Sequence, residues 1–271
     1  MNFEKFATTT RVSEELHACN MCGYCVPVCP AYQEIGWESA APRGKIFFMK
    51  NVEMRSPLDR ILRRPTRERD FAGRPTEEME AFTRAVYECT GCGACEAVCH
   101  ADIPFDGLWD DIKGWLVDEG FGPLPEHRAM LDHVKSTKNL YGKDNEARGA
   151  WFEESGVRQA AQPEVLFWVG CGASFARQSI GKAVVKILNA ANVRYRVLGR
   201  EEWCSGAHGG FKEAFPNEAA SLAARRQAEA RDVGAGVMVT TCPHALAHLN
   251  EVKRGRAVDT VDLAELAAEH L

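Results

Sequence analysis

Eight cysteines stand in two arrays of identical spacing, and no other feature of the chain narrows its fold so far. The first array is Cys19-x2-Cys22-x2-Cys25-x3-Cys29, followed by Pro30. The second is Cys89-x2-Cys92-x2-Cys95-x3-Cys99, followed by His100. They form an internal repeat offset by about 70 residues. Three thiols at x2 spacing wrap a loop and one turn around three iron corners of a cubane. The fourth lies too far along the following helix to reach the same cubane, so it ligates the other one. The expected ligand sets are Cys19, Cys22, Cys25 and Cys99 for one [4Fe–4S] cluster, and Cys89, Cys92, Cys95 and Cys29 for the second. Gly23, Gly91 and Gly93 let the backbone pass close to the sulfides. Zinc is the competing reading. Structural zinc sites usually take two separated ligand pairs, and three cysteines packed this tightly crowd a tetrahedron. His100 stands where the usual proline would fix the chain direction, and reads as a tolerated substitution.

The remaining composition bounds the setting. The chain has eleven cysteines, an odd count. A disulfide framework implies export, and the start, Met1-Asn2-Phe3-Glu4-Lys5-Phe6, has no basic-then-apolar signal pattern. No apolar run approaches the roughly 18 residues that a membrane span needs. The expectation is a reducing, cytoplasmic setting with metal-binding cysteines and no direct membrane insertion. A formal net charge of −5 argues against a broad nucleic-acid footprint. Between the arrays, Arg55 to Arg74 holds seven arginines against three acidic residues. It reads as a solvated connector, with docking to an acidic partner as the alternative. Residues 1–17 carry Phe3, Phe6, Val12 and Leu16, spaced for a helix that packs on the cluster domain.

Beyond the second array, Leu108, Ile112, Trp115 and Leu116, then Met130, Leu131 and Val134, have helical spacing. The pattern changes near Gln162-Pro163. Strands are expected at Val165–Val169, Tyr195–Leu198 and Val237–Thr241. They alternate with helices at Ser174–Ala191, Asn217–Asp232, Pro243–Asn250 and Asp262–His270. The expected fold is α+β, with a mostly helical two-cluster domain over 1–160 and a small α/β domain with a parallel sheet over 161–271. Cys171, Cys204 and Cys242 each follow a strand. Ligands of open α/β sheets bind at that edge, so the three form a candidate third site, against the reading that they are merely buried cysteines. His17, His127, His133, His248 and His270 have no ligand spacing. Neither Gly170-Cys171-Gly172 nor Gly206–Gly210 fits a dinucleotide fingerprint.

These residues carry a family resemblance. The first array with Ala41-Pro42-Arg43-Gly44-Lys45, and Glu88-Cys89-Thr90-Gly91-Cys92, resemble iron–sulfur subunits of heterodisulfide reductases and of glycolate or lactate oxidases. Tyr141-Gly142-Lys143 to Arg148-x2-Trp151 resembles a linker in the D-type chain of heterodisulfide reductase. Trp168–Cys171, Leu198–Cys204 and Thr241-Cys242-Pro243-His244 resemble that family's CCG domain. The resemblance implies a succinate-dehydrogenase-type cluster domain followed by a CCG domain. It also implies a noncubane, disulfide-cleaving cluster. Here Cys204-Ser205-Gly206 stands for Cys-Cys-Gly, Cys242-Pro243-His244-Ala245 stands for Cys-Pro-x-Cys, and one such module is present where the family usually has two. Ser205 is a hard donor and Ala245 none, so the expectation is that disulfide cleavage is lost. Cys171, Cys204 and Cys242, with His208 or His244, remain a candidate set for a third cluster. The leading functional expectation is an electron-relay subunit, working with flavin- or metal-containing oxidoreductase subunits and, in this family, sometimes a membrane-bound partner. The alternatives are a catalytic subunit with that third cluster and a structural docking adaptor.

Overall fold

The computed structural model describes residues 10–53, 75–207, 210–251 and 258–270. The expectations for Arg55–Arg74, for Phe3 and Phe6, and for His208 lie outside the described residues, as does the side chain of Val12. The chain divides into two compact units, Met1–Pro125 and Glu126–Leu271.

The first unit is helical. Its elements are α1 (Thr10–Ala18), α2 (Pro30–Ile35), a 3-10 turn (Glu38–Ala40), α3 (Pro42–Glu53), α4 (Glu77–Tyr87), α5 (Ala94–Ala97) and α6 (Phe105–Asp118). Apolar positions three and four apart give α4 and α6 one buried stripe each: Met79, Phe82 and Val86, then Leu108, Ile112, Trp115 and Leu116. With Leu16 of α1 and Ile46 and Met49 of α3 they form one core. Thr76 starts α4, its Oγ1 accepting the Met79 N–H at 3.1 Å. Glu77, Glu78 and Glu80 face the positive end of that helix. Gly44 sits where α3 crosses the preceding turn. A Cβ there would overlap the Glu38 carbonyl and approach the Ser39 Cα to 2.9 Å.

In the second unit, α7 (Pro125–Thr137) precedes a sheet of β1 (Val165–Phe167), β2 (Tyr195–Arg196), β3 (Val237–Thr240) and β4 (Asp259–Asp262). Between and after the strands come α8 (Gln178–Ala190), α9 (Phe211–Ala214), α10 (Pro216–Asp232), α11 (Pro243–Glu251) and α12 (Leu263–His270). The strands are all parallel, in the order β2-β1-β3-β4, with Val165 level with both Tyr195 and Val237, and Val237 level with Asp259. Strand alternation sends Val165, Phe167 and Val169 to one face. There they meet Val184, Val185 and Leu188 of α8 and Leu266 of α12. Leu166 and Trp168 point to the other face, with Ala223 and Ala230 of α10 and Leu249 of α11. Both faces are covered, as a parallel sheet requires.

Three expectations change. The unit boundary falls after Pro125, not after residue 160. Residues 126–160 pack on the sheet: Val134 joins the core of Cys171, Cys204 and Phe211, and Trp151 joins that of β1 and α8. A fourth strand, β4, occupies what reads as a connector and the start of the last helix. Its two aspartates hide the strand pattern, and pairing with β3 supplies what propensity does not. The helix expected from Ser174 is split. Gly172–Ala176 forms a turn of π-helix, Arg177 leaves the helical region, and α8 begins at Gln178.

Replacing Gly44 with alanine should destabilise the first unit by about 1–3 kcal/mol, the cost of overpacking a closed contact. The denaturant midpoint of the full chain measures it. An unchanged midpoint would mean that α3 shifts off the turn freely.

Candidate cluster sites and a third thiol site

The two arrays fold alike. In the first, the Val26 N–H bonds the Gly23 carbonyl at 2.9 Å and the Cys29 N–H bonds that of Val26 at 3.2 Å. In the second, Glu96 N–H to Gly93 and Cys99 N–H to Glu96 repeat the turns at 3.0 and 3.1 Å. Gly23 and Gly93, with φ of 87° and 69°, occupy the left-handed region that makes both turns possible.

Each array lines a separate cavity together with one cysteine of the other. Cys19, Cys22, Cys25 and Cys99 line the first, with Arg43 and His100 on its wall. Cys89, Cys92, Cys95 and Cys29 line the second, with Lys45 and Trp109. The structure thus brings together both ligand sets read from the sequence. His100 follows the second array but faces the first cavity, where its ring meets Tyr24 edge-on at 4.9 Å.

The donor sets suit iron–sulfur clusters. Each is four thiols; Cys19, Cys25, Cys89, Cys95 and Cys99 belong to the helical core or pack against it, while Cys22 and Cys92 are exposed. Burial pushes the Cys95 thiol up to about 12, and Cys89 adds to the rise. Burial also raises Cys25. Such thiols become thiolates only against positive charge, which iron supplies. Among the described residues, no three His, Cys, Asp or Glu side chains are placed to hold one metal ion. A cubane instead spreads its thiolates over four irons.

Sequence reasoning missed Lys45. It is 1% exposed and makes no salt bridge among the described residues, and its Nζ lies 5.3 Å from the Trp109 ring centre. Burial lowers its pKa, while Cys89, Cys29 and Cys95 raise it. It is a buried cation aimed at one thiol set.

The second unit holds the other three cysteines. The strand order reverses between β1 and β3, and such a switch point opens a crevice at the carboxyl ends of the strands. Cys171 follows β1, Cys242 follows β3, and Cys204 comes after β2. They line one cavity of about 280 Å³ with Tyr141, Arg177, Ser205 and His244. Cys171 and Cys204 belong to one buried cluster with Phe211 and Leu222, whereas Cys242 packs against the core that holds Trp168 and Ala245. Ser205 accepts the Ala207 N–H at 3.2 Å, and Ala245 is buried in the core.

A buried ion pair frames Cys171. Arg148 and Glu202 have side chains fully excluded from water and meet at 2.6 Å. Arg148 also donates to Ser174 Oγ at 3.2 Å, Asn145 Oδ1 at 3.2 Å and Cys171 Sγ at 3.5 Å. Glu202 accepts the backbone N–H groups of Val169 and Gly170 at 3.0 and 2.8 Å. The neighbouring Cys204 thiol brings the Cys171 pKa down to about 6; burial opposes this and Arg148 assists it. Cys204, beside Cys171 and buried, is held well above the usual thiol value. Burial raises Cys242, but His244 outweighs it and the net shift is downward. Arg148 and Glu202 stand inside motifs visible in the sequence, but no spacing rule joins residues 54 apart.

Comparison with known proteins places both units. A 4Fe-4S dicluster domain model matches residues 15–103, and a cysteine-rich (CCG) domain model matches residues 165–250. The D-type chain of the dihydromethanophenazine:CoB–CoM heterodisulfide reductase of Methanosarcina mazei is 32% identical over 195 residues, covering 71% of this chain and 46% of the relative. The EtfAB:quinone oxidoreductase of Syntrophomonas wolfei is 25% identical over 261 residues, covering 85% of this chain and 35% of the relative. The probable glycolate oxidase iron–sulfur subunit of Bacillus subtilis is 34% identical over 100 residues, covering 36% and 18%. The chain spans about half the length of the heterodisulfide reductase chains it matches. No solved structure matches it. No helix among the described residues is long and apolar enough to cross a membrane.

Arg148→Met should cost about 3–5 kcal/mol in urea unfolding, because it leaves the Glu202 carboxylate buried and unpaired; adding Glu202→Gln should return part of the loss. A single variant as stable as the parent would mean that water reaches the pair. With a 4Fe–4S dicluster domain, a cysteine-rich domain and this likeness along most of its length, the chain belongs to the iron–sulfur proteins related to the D-type chain of heterodisulfide reductase.

Proposed function

We propose that this protein is an electron-transfer subunit of a multi-subunit oxidoreductase, holding two [4Fe–4S] clusters in its first unit. The observation that carries the reading is the exchange of Cys29 and Cys99 between two otherwise self-contained cysteine loops, each cavity receiving four thiols. The relatives named as subunits of heterodisulfide reductase and glycolate oxidase support a place in an oxidoreductase complex, and the partners in this proposal are its flavin- or metal-containing subunits. When bound, each cluster supplies a one-electron couple. The chain's part is to hold the thiols, exclude water and set the local charge. Ile103 and Phe105 give the first cavity an apolar wall, and Trp109 does so for the second. Lys45 places a positive charge beside only one of them.

The test is iron and sulfide per chain after anaerobic purification, with electron paramagnetic resonance during a reductive titration. About eight irons and two reducible signals are expected. Zinc, or iron that never reduces, would overturn the proposal. Cys99→Ala and Cys29→Ala should each leave about four irons, and the surviving signal should differ between them.

Lys45→Met should make one of the two clusters harder to reduce, by about tenfold or more in the one-electron equilibrium, some 59 mV. Reduction adds negative charge, and the variant removes the nearby cation. Lys45→Arg should restore most of the shift. The effect should persist with Cys99→Ala and vanish with Cys29→Ala; the opposite pattern would mean that Lys45 serves the other cavity.

A further inference from the structure

We propose that Tyr24, Trp37 and Phe47 form the docking face for a redox partner, a second oxidoreductase subunit with its own flavin or metal centre, and that electrons cross between the two proteins at the first cluster cavity. The inference rests on the electron-transfer reading and adds where the partner sits. Each crossing moves one electron: one centre is oxidised, the other is reduced, and no covalent bond is made or broken.

Few large apolar side chains stay exposed among the described residues, and four of these six, Tyr24, Ile35, Trp37 and Phe47, lie within residues 24–47. Trp37 is 74% exposed. Contacts gather three of the four around one wall of the first cavity. Tyr24 belongs to that wall, beside Cys22 and Arg43. Arg43 lies so close over the first array that a Cβ on Gly23 would come within 2.7 Å of its Nη1. Its guanidinium holds the Glu38 carboxylate by two contacts, at 2.8 and 3.1 Å, and Glu38 directly follows Trp37. Phe47 stands one turn beyond Arg43 on α3. Lys50 shares that helix face and donates to the Cys19 carbonyl at 2.9 Å. The face of α3 that carries Phe47 therefore borders the first array on both sides of Phe47.

Two observations identify the occupant. First, Cys22 of the first thiol set is exposed, so the shell of that cluster reaches the surface among these aromatic residues. Electron transfer weakens steeply with distance, and a partner centre gains most by approaching there. The second set also has an exposed thiol, Cys92, but none of the exposed large apolar residues lines its cavity, and Lys45 and Trp109 there are buried. Second, the face has the make-up of a protein interface. Trp, Tyr, Phe and Arg are the side chains enriched in interface centres, and exposed apolar patches mark contact sites. Arg43 brings its own counter-charge in Glu38, so a partner need not supply one. Relatives named as oxidoreductase subunits support a protein of that kind as the occupant.

The test uses the full chain, tagged and expressed in the cells it comes from, with a photoreactive phenylalanine in place of Trp37 or of Phe47. Light should join both positions to the same second protein. That protein, isolated, should contain flavin or a redox metal, and after reduction it should reduce the clusters of the parent chain. Trp37→Ser and Phe47→Ser should each slow that step by about tenfold or more at low partner concentration, the loss expected of an interface anchor. Both variants should keep about eight irons and both paramagnetic signals. Adducts within the chain, with a second copy of it or with a protein lacking a redox centre overturn the proposal, as does the absence of any adduct. Undiminished electron transfer in both variants, with the clusters intact, overturns the docking face alone. A parent chain without reducible iron overturns the electron-transfer reading beneath it.

Discussion

An arginine and a glutamate without access to water hold the second unit's functional edge in place. Burying two charges is costly, and their mutual attraction offsets that cost only when the remaining hydrogen-bonding capacity is also used. Here it is. Arg148 reaches Glu202, Ser174, Asn145 and Cys171, and Glu202 takes two backbone N–H groups at the end of β1. Three segments distant in sequence converge on one ion pair: the connector after α7, the loop after β1 and the loop after β2. The positions of Cys171 and Cys204 follow from that convergence. The same pair explains why the connector belongs to the sheet's unit.

The first unit is organised by a different constraint. Five of its eight array cysteines, Cys19, Cys25, Cys89, Cys95 and Cys99, lie in or against the same apolar core that joins α1, α3, α4 and α6, while Cys22 and Cys92 are exposed. Buried thiolates without a counter-charge are unfavourable, as the upward shift of Cys95 shows. Helix packing and ligand assembly are therefore linked, and the crossing of Cys29 and Cys99 makes each cavity depend on both loops. The two cavities differ in the cation they hold: the partly exposed Arg43 at the first and the buried Lys45 at the second. Gly44 allows α3 to lie against the turn before it, and the next residue carries its ammonium to the second cavity alone.

What the sequence reveals here divides by range. The cysteine arrays are legible because their spacing is covalent, and the exchange of the fourth cysteine follows from the reach of one helical turn. The cores of β1 and β3 are legible as apolar, β-branched runs. β4 is not, because Asp259 and Asp262 flank it and only pairing with β3 makes it a strand. The break at Arg177 escapes notice because Ser174 to Ala191 has continuous helical composition. The change of pattern near Pro163 marks where strands begin, whereas the unit begins earlier, with helix and turn segments that pack on the sheet through Val134 and Trp151. Lys45, Arg148 and Glu202 are ordinary charged residues in sequence, and burial alone distinguishes them.

The two altered positions at the third thiol site are best understood through packing. Ala245 is wholly buried among Trp168, Met238 and Leu249, so the position contributes to the sheet's core. Ser205 closes a local turn onto the Ala207 N–H. Both take part in local packing, and Cys171, Cys204, Cys242 and His244 remain together at the crevice. Arg148 donates to the Cys171 sulfur and Glu202 holds the two backbone N–H groups just before it, so the buried ion pair fixes the position of that thiol at the sheet's edge.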